Sequence, residues 1–168
     1  MKIIEALKSI KDLSKKADDL VIKCQTYCVN MDFENPVYPD QTGQINSWIQ
    51  AHRDIIHEIC RLRFCIQKTN CAIKVKIHIL GQDIEKSIAE WIHRRKDLCA
   101  KEIMIWKGLG DKGLRDSRTS MPSGVIDAKI RRYYDPVKKD GMIAALQSEP
   151  SVIDGKLEIV NATTDLLE

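Results

Sequence analysis

Glycine and proline are scarce in this chain of 168 residues, with eight of one and five of the other. That scarcity argues against a turn-rich sandwich or barrel and favours long helices. Aromatic residues are few as well, at 5%. Apolar runs never exceed a few residues, which excludes a membrane-spanning helix. The opening Met1-Lys2-Ile3-Ile4-Glu5 places charges where a secretory signal needs an apolar stretch. Charge of one sign is also in short supply. A net charge of +3 gives no reason to expect nucleic acid as a partner. Missing too are a phosphate-binding Gly-x4-Gly-Lys loop, a Gly-x-Ser-x-Gly elbow and a His-Glu-x-x-His zinc motif. Gly108-Leu109-Gly110-Asp111 reads as a helix stop and not as a dinucleotide fingerprint, because no strand precedes it.

What is present is a soluble balance, 43% hydrophobic and 30% charged, in a length that suits one domain over residues 1–168. Six cysteines are spread along it: Cys24, Cys28, Cys60, Cys65, Cys71 and Cys99. Without a secretory signal they are expected as reduced thiols in a cytoplasmic protein. Cys24 and Cys28 stand one helical turn apart, but no second close pair completes a zinc site, so no metal and no cofactor are expected.

Ile3, Ala6, Ile10, Leu13, Ala17, Leu20, Cys24 and Tyr27 recur at spacings of three and four, which predicts a helix over about 2–28. Pro36, Pro39 and Gly43 break the pattern over 30–44, a loop that Phe33, Val37 and Tyr38 can anchor. A second helix follows over about 44–70, with Trp48, His52, Ile55, Ile59, Leu62, Ile66 and Thr69 as its stripe. The two helices should pack as an antiparallel hairpin. Alternation of Ile73, Val75, Ile77 and Ile79 with polar residues predicts a strand over about 72–80.

A third helix is expected over about 87–108, started by the capping box of Ser87 and Glu90. Its buried face is read as Ile88, Trp91, Leu98, Ile105 and Leu109. Residues 110–124 read as a mobile loop, and 125–134 as a second strand able to pair with the first. A short helix is expected over 140–147, and Pro150 is placed in the first turn of a last helix over about 150–167. The fold class is therefore mainly α: an antiparallel bundle of long helices with a small inserted two-stranded β element.

Polar residues interrupt the third helix's seam. Arg95 and Glu102 fall on it two turns apart, which fits either structural ion pairing with other helices or snorkelling at a bundle end, or else an anion pocket. The densest cluster is Lys129-Ile130-Arg131-Arg132-Tyr133-Tyr134-Asp135-Pro136. Arginines beside tyrosines can hold a phosphate while a ring stacks on a base. Arg94, Arg95, Arg131, Arg132, Tyr133 and Tyr134 are the candidate ligand site, and Thr69, Asn70 and Trp91 the second candidates. Thr69-Asn70 also reads as a helix end, and the 131–134 run as a solvated strand. Asn161 carries the same ambiguity.

Met1-Lys2 with Glu5-Ala6-Leu7, Gln67-Lys68-Thr69-Asn70, Ile92-His93-Arg94-Arg95-Lys96-Asp97-Leu98, Arg132-Tyr133 and Asn161-Ala162-Thr163-Thr164-Asp165-Leu166 follow one another along nearly the whole chain. In that order they resemble a family of small helical proteins from bacteria and phages sometimes labelled septicolysin. Its phage-type members look most similar, because of the Trp-rich third helix and the Arg-Arg-Tyr-Tyr-Asp-Pro segment. The resemblance implies a helical, oligomeric protein of the cytoplasm, the host's if phage-encoded, with no catalytic residues to carry over. No membrane partner is expected from the residues themselves, since the first helix is balanced in charge and no stretch looks like an inserting hairpin. The expectation is a homo-oligomer that binds a phosphate-containing small molecule, as a sponge for nucleotide signals of host defence. A structural, partner-binding helical protein and a nucleotide-processing enzyme using Glu102 are the alternatives.

Overall fold

The computed structural model describes residues 1–110 and 131–167. The chain is mainly helical with one small antiparallel sheet, and divides into two compact units. Residues 1–73 and 158–168 form the first, and residues 74–157 the second.

In the first unit, α1 (Ile3–Tyr27) and α2 (Gln41–Ala72) form an antiparallel hairpin. The stripes read from periodicity are the inward faces, with Ile3, Ala6, Ala17, Trp48, Ile59 and Leu62 buried. At the tip, Tyr27, Tyr38 and Trp48 pack ring against ring, with centroids 5.5–5.8 Å apart. Of the expected loop anchors only Tyr38 acts as one. Phe33 and Val37 are exposed.

α2 begins three residues earlier than expected. Asp40 caps it by accepting the Gly43 N–H at 2.8 Å. Gly43 is thus a first-turn residue, and a Cβ there would collide with the Asp40 carboxylate. The chain ends meet at the other end of the hairpin. Ile3 N–H donates to the Thr164 carbonyl at 3.1 Å, and Leu166 N–H to that of Met1 at 2.9 Å.

In the second unit, β1 (Lys74–Ile79) pairs antiparallel with β2 (Gln82–Ser87). Among the described residues, the partner of β1 is thus a neighbour two residues away, which the alternation pattern did not show. Residues 131–134 are not a strand, and 125–130 lie outside the described residues, as do 111–124 of the expected loop. Leu80 and Gly81 turn the corner with φ of 54° and 75°, both in the left-handed region. Val75, Ile77 and Ile79 are buried.

Ser87 and Glu90 form their capping box and open α3 (Ile88–His93). A π-helical turn (Arg94–Leu98) follows, and then α4 (Cys99–Gly108). The π turn inserts one residue, so that Cys99 N–H bonds the Arg94 carbonyl five residues back. The buried seam slips accordingly, from Ile88 and Trp91 to Cys99 rather than to Leu98. Leu98 and Ile105, both assigned to the core by uninterrupted α periodicity, are 45% and 70% exposed.

The last helix, α5 (Pro136–Thr163), absorbs the expected short helix and starts well before residue 150. Pro150 sits in its interior and has no N–H for the Leu146 carbonyl. The Cys99 thiol donates to that carbonyl instead, at 2.9 Å. A side chain from another helix thus replaces the bond the proline removes.

Candidate functional site

Arg94 opens the π turn and reaches across to Glu149 on α5. Its Nε donates to Oε1 at 2.6 Å and a terminal nitrogen to Oε2 at 2.9 Å, a two-pronged fork. The other terminal nitrogen pairs with Glu102. Glu102 stands eight residues on, and the extra π residue makes that two turns. The partner of Glu102 is therefore Arg94. Glu149 keeps 2% of its side chain exposed, and Arg94 19%. Hydrogen bonds donated to the two carboxylates, that of Glu149 first, hold the guanidinium above its ordinary pKa against the cost of burial. Arg95 points to the outer side and pairs with Asp154, also on α5.

Cys99 lies beside this pair, its Sγ 3.6 Å from a Glu149 oxygen. Burial, with the Glu149 charge behind it, pushes the thiol up to about 11. It is a protonated hydrogen-bond donor at neutral pH, not a nucleophile. Trp91 is buried, and its indole N–H donates to the Val75 carbonyl at 2.9 Å. That bond ties α3 to the sheet, and burial leaves the ring no open face for stacking.

The 131–134 run is arranged differently. Arg131, Arg132 and Tyr133 are exposed, Tyr133 to 88%, and Tyr134 is half-buried. The Arg131 guanidinium lies over the Tyr133 ring at 5.8 Å, and Lys139 over the Tyr134 ring at 5.8 Å. The Asp135 carboxylate accepts the Val137 N–H at 2.9 Å and starts α5 immediately after. Along that helix, Asp135 and Glu149 are fourteen residues apart, about 20 Å at 1.5 Å per residue. Arg94 is fixed on Glu149 and Arg95 on Asp154, so both arginines of that pair are committed to carboxylates.

Thr69 and Asn70 belong to the first unit. Thr69 is buried; its hydroxyl donates to the Cys65 carbonyl at 2.8 Å and accepts the Leu167 N–H at 2.9 Å. It fastens the C-terminal segment to α2. Asn70 Oδ1 is buried without a hydrogen-bond partner among the described residues. Asn161 is half-buried.

Sequence reasoning did not find Glu149, Cys99 and Asp154. The signal for Glu149 was present: an acid on the 146, 149, 153, 157 stripe. Starting the helix at Pro150 hid it. Among the described residues no three His, Cys, Asp or Glu side chains cluster as metal ligands would, and no helix is long and apolar enough to cross a membrane.

No protein-family model matches the chain, and no curated protein does. A crystal structure of a functionally unknown conserved protein from Corynebacterium diphtheriae is similar over 99% of both chains, at 16% identity and a TM-score of 0.57. At that identity the likeness extends to the fold alone.

Proposed function

We propose that the protein is a non-catalytic, homo-oligomeric binding protein that sequesters a phosphate-containing, nucleotide-type signalling molecule. The observation that supports this reading is the cluster of cations and rings from Arg131 to Lys139, in which Arg131 lies over Tyr133 and Lys139 over Tyr134. A guanidinium freed from its own tyrosine can neutralise a phosphate, and the uncovered ring can take a base. Arg94 and Arg95 do not share that role, being committed to carboxylates. By analogy with phage proteins that soak up nucleotide signals of host defence, the setting proposed is the host cytoplasm.

The test is incubation with a panel of cyclic and linear nucleotides, followed by denaturation and mass spectrometry of what is released. Recovery of intact ligand supports sequestration. New products would make the protein an enzyme, and absence of any bound nucleotide would favour a purely structural role. Arg131→Ala and Tyr133→Ala should each weaken binding by about ten- to a hundred-fold with the helical circular dichroism unchanged. Normal binding by both would place the site elsewhere.

A further inference from the structure

α1 carries two stripes, and the hairpin uses one. The second is Ile4, Leu7, Lys11, Ser14, Asp18, Val21 and Gln25, spaced three and four throughout. That is the heptad pattern by which one helix lies along another. Six of these residues are exposed and Ser14 is half-buried. α2 continues the same face with Ile49, His52, Ile56, Cys60 and Arg63. Two adjoining hollows of about 220 and 340 Å³, which share His52, run between the two stripes. Ile4, Leu7, Val21, Ile49 and Ile56 are each 40–49% exposed on it.

We infer that this face is covered by a second copy of the chain, packed antiparallel about a two-fold axis near Ser14. The charge pattern selects that occupant, because the stripe is complementary to its own reverse. Turned end for end about Ser14, it sets Leu7 against the partner's Val21 and Lys11 against the partner's Asp18, each twice by symmetry. A parallel pairing would instead set Lys11 against the partner's Lys11. The area agrees. From Ile4 to Gln25 is about 32 Å at 1.5 Å per residue, and two packed helices are about 20 Å wide. Each copy therefore covers about 650 Å², near the ~800 Å² per partner of a stable interface. This pairing deepens the homo-oligomer part of the reading above and is independent of its ligand.

Light scattering on the full chain at micromolar concentration should give twice the 19.2 kDa of one chain. Val21→Asp, at an exposed position, should give a monomer with unchanged helical circular dichroism. Lys11→Asp opposes two carboxylates across each contact and should weaken the dimer about ten-fold. Adding Asp18→Lys should restore wild-type affinity, which no structural role of either residue would do. A wild-type monomer overturns the pairing and the oligomer reading together. A wild-type dimer indifferent to Val21→Asp and Lys11→Asp overturns this surface alone and leaves the oligomer standing. Weakening by Lys11→Asp without rescue overturns the antiparallel register. Nucleotide binding, measured separately on the Val21→Asp protein, reports on the ligand and not on this contact.

Discussion

The α1–α2 hairpin and the α3–α4 segment with its facing stretch of α5 both bury apolar stripes, by different means. In the hairpin every turn is regular, and Ile3, Ala6, Ala17, Ile59 and Leu62 fill one continuous seam. In the other region both facing helices are irregular: one gains a residue in a π turn, and the other loses a hydrogen bond at Pro150. The two faults sit opposite each other and are repaired together. Cys99, the first residue after the π turn, supplies the bond that Pro150 removes. Arg94, its first residue, ties the two helices through Glu149. Regular helix needs only shape and burial. Irregular helix needs particular atoms from elsewhere in the chain.

Single-residue deletions should separate the two regions most widely. Deleting Lys15 rotates the rest of α1 by about 100° and puts Asp18 and Gln25 where Ala17 and Cys24 now pack. A buried carboxylate and a lost seam together exceed the ~5–15 kcal/mol of a typical domain, and thermal melts should show no cooperative transition. Deleting the exposed Lys96 instead turns the π turn into α-helix and leaves the seam in step on both sides. A cost of about 1 kcal/mol is expected, with the transition intact. Equal damage from the two deletions would mean that the π turn is not a removable insertion.

Ion pairs should show the same contrast more gently. Arg94→Ala strands Glu149 in the interior and should cost about 3–5 kcal/mol in urea unfolding. Glu58→Ala removes an exposed pair with Arg61 within α2 and should cost no more than about 0.5 kcal/mol. Hydrogen bonding from Arg61 draws the Glu58 carboxyl below its usual range, but water screens the pair. A small effect at Arg94 would show that water enters freely around Glu149.

The repair at Pro150 can be measured as a coupling. Cys99→Ala orphans the Leu146 carbonyl and should cost about 1–2 kcal/mol. In a Pro150→Ala background the new N–H can take that carbonyl, and the cost of Cys99→Ala should fall by about 1 kcal/mol. Purely additive effects would dissociate the thiol from the proline. The same thiol makes stability depend on alkaline pH. Its raised pKa means that the folded state holds the proton more tightly, so the contribution is complete below pH 9 and disappears as pH rises toward about 11. Cys99→Ser, which does not titrate there, should flatten that part of the profile.

The hairpin was legible in the sequence because its periodicity carries the whole of its structure. The capping box at Ser87 and the strand at 74–79 were legible for the same reason, both being local patterns. The π turn leaves no mark in composition. Its sign was the polar interruption of the seam at Arg95 and Glu102, which an extra residue resolves by bringing Arg94 over Glu102. Pro150 misled because an interior proline and an initiating one look alike until the atom that replaces the missing bond is known. The ion-pair reading of the seam needed Glu149, 55 residues away. β2 went unread for a simpler reason: Gln82–Ser87 has one apolar residue, Ile84, and gives no alternation to read.

One irregularity in the second unit has no such compensation. Leu80 holds a φ of 54° at the first corner of the β1–β2 turn, where the left-handed conformation costs an ordinary L-residue about 1–2 kcal/mol. It is 43% exposed, so its side chain has little burial to lose. Asparagine tolerates this conformation, and Asn-Gly is the preferred sequence for a two-residue hairpin turn with both corners left-handed. Leu80→Asn should therefore stabilise the protein by about 0.5–1 kcal/mol, raising the melting temperature by about 2 °C. Gly81→Ala, at a φ of 75° with open space around the Cβ position, should lower it by a similar amount through backbone strain alone. A fall on Leu80→Asn would mean that contacts of the leucine outweigh its backbone strain, and this turn would then join Pro150 among the faults that a partner atom repairs.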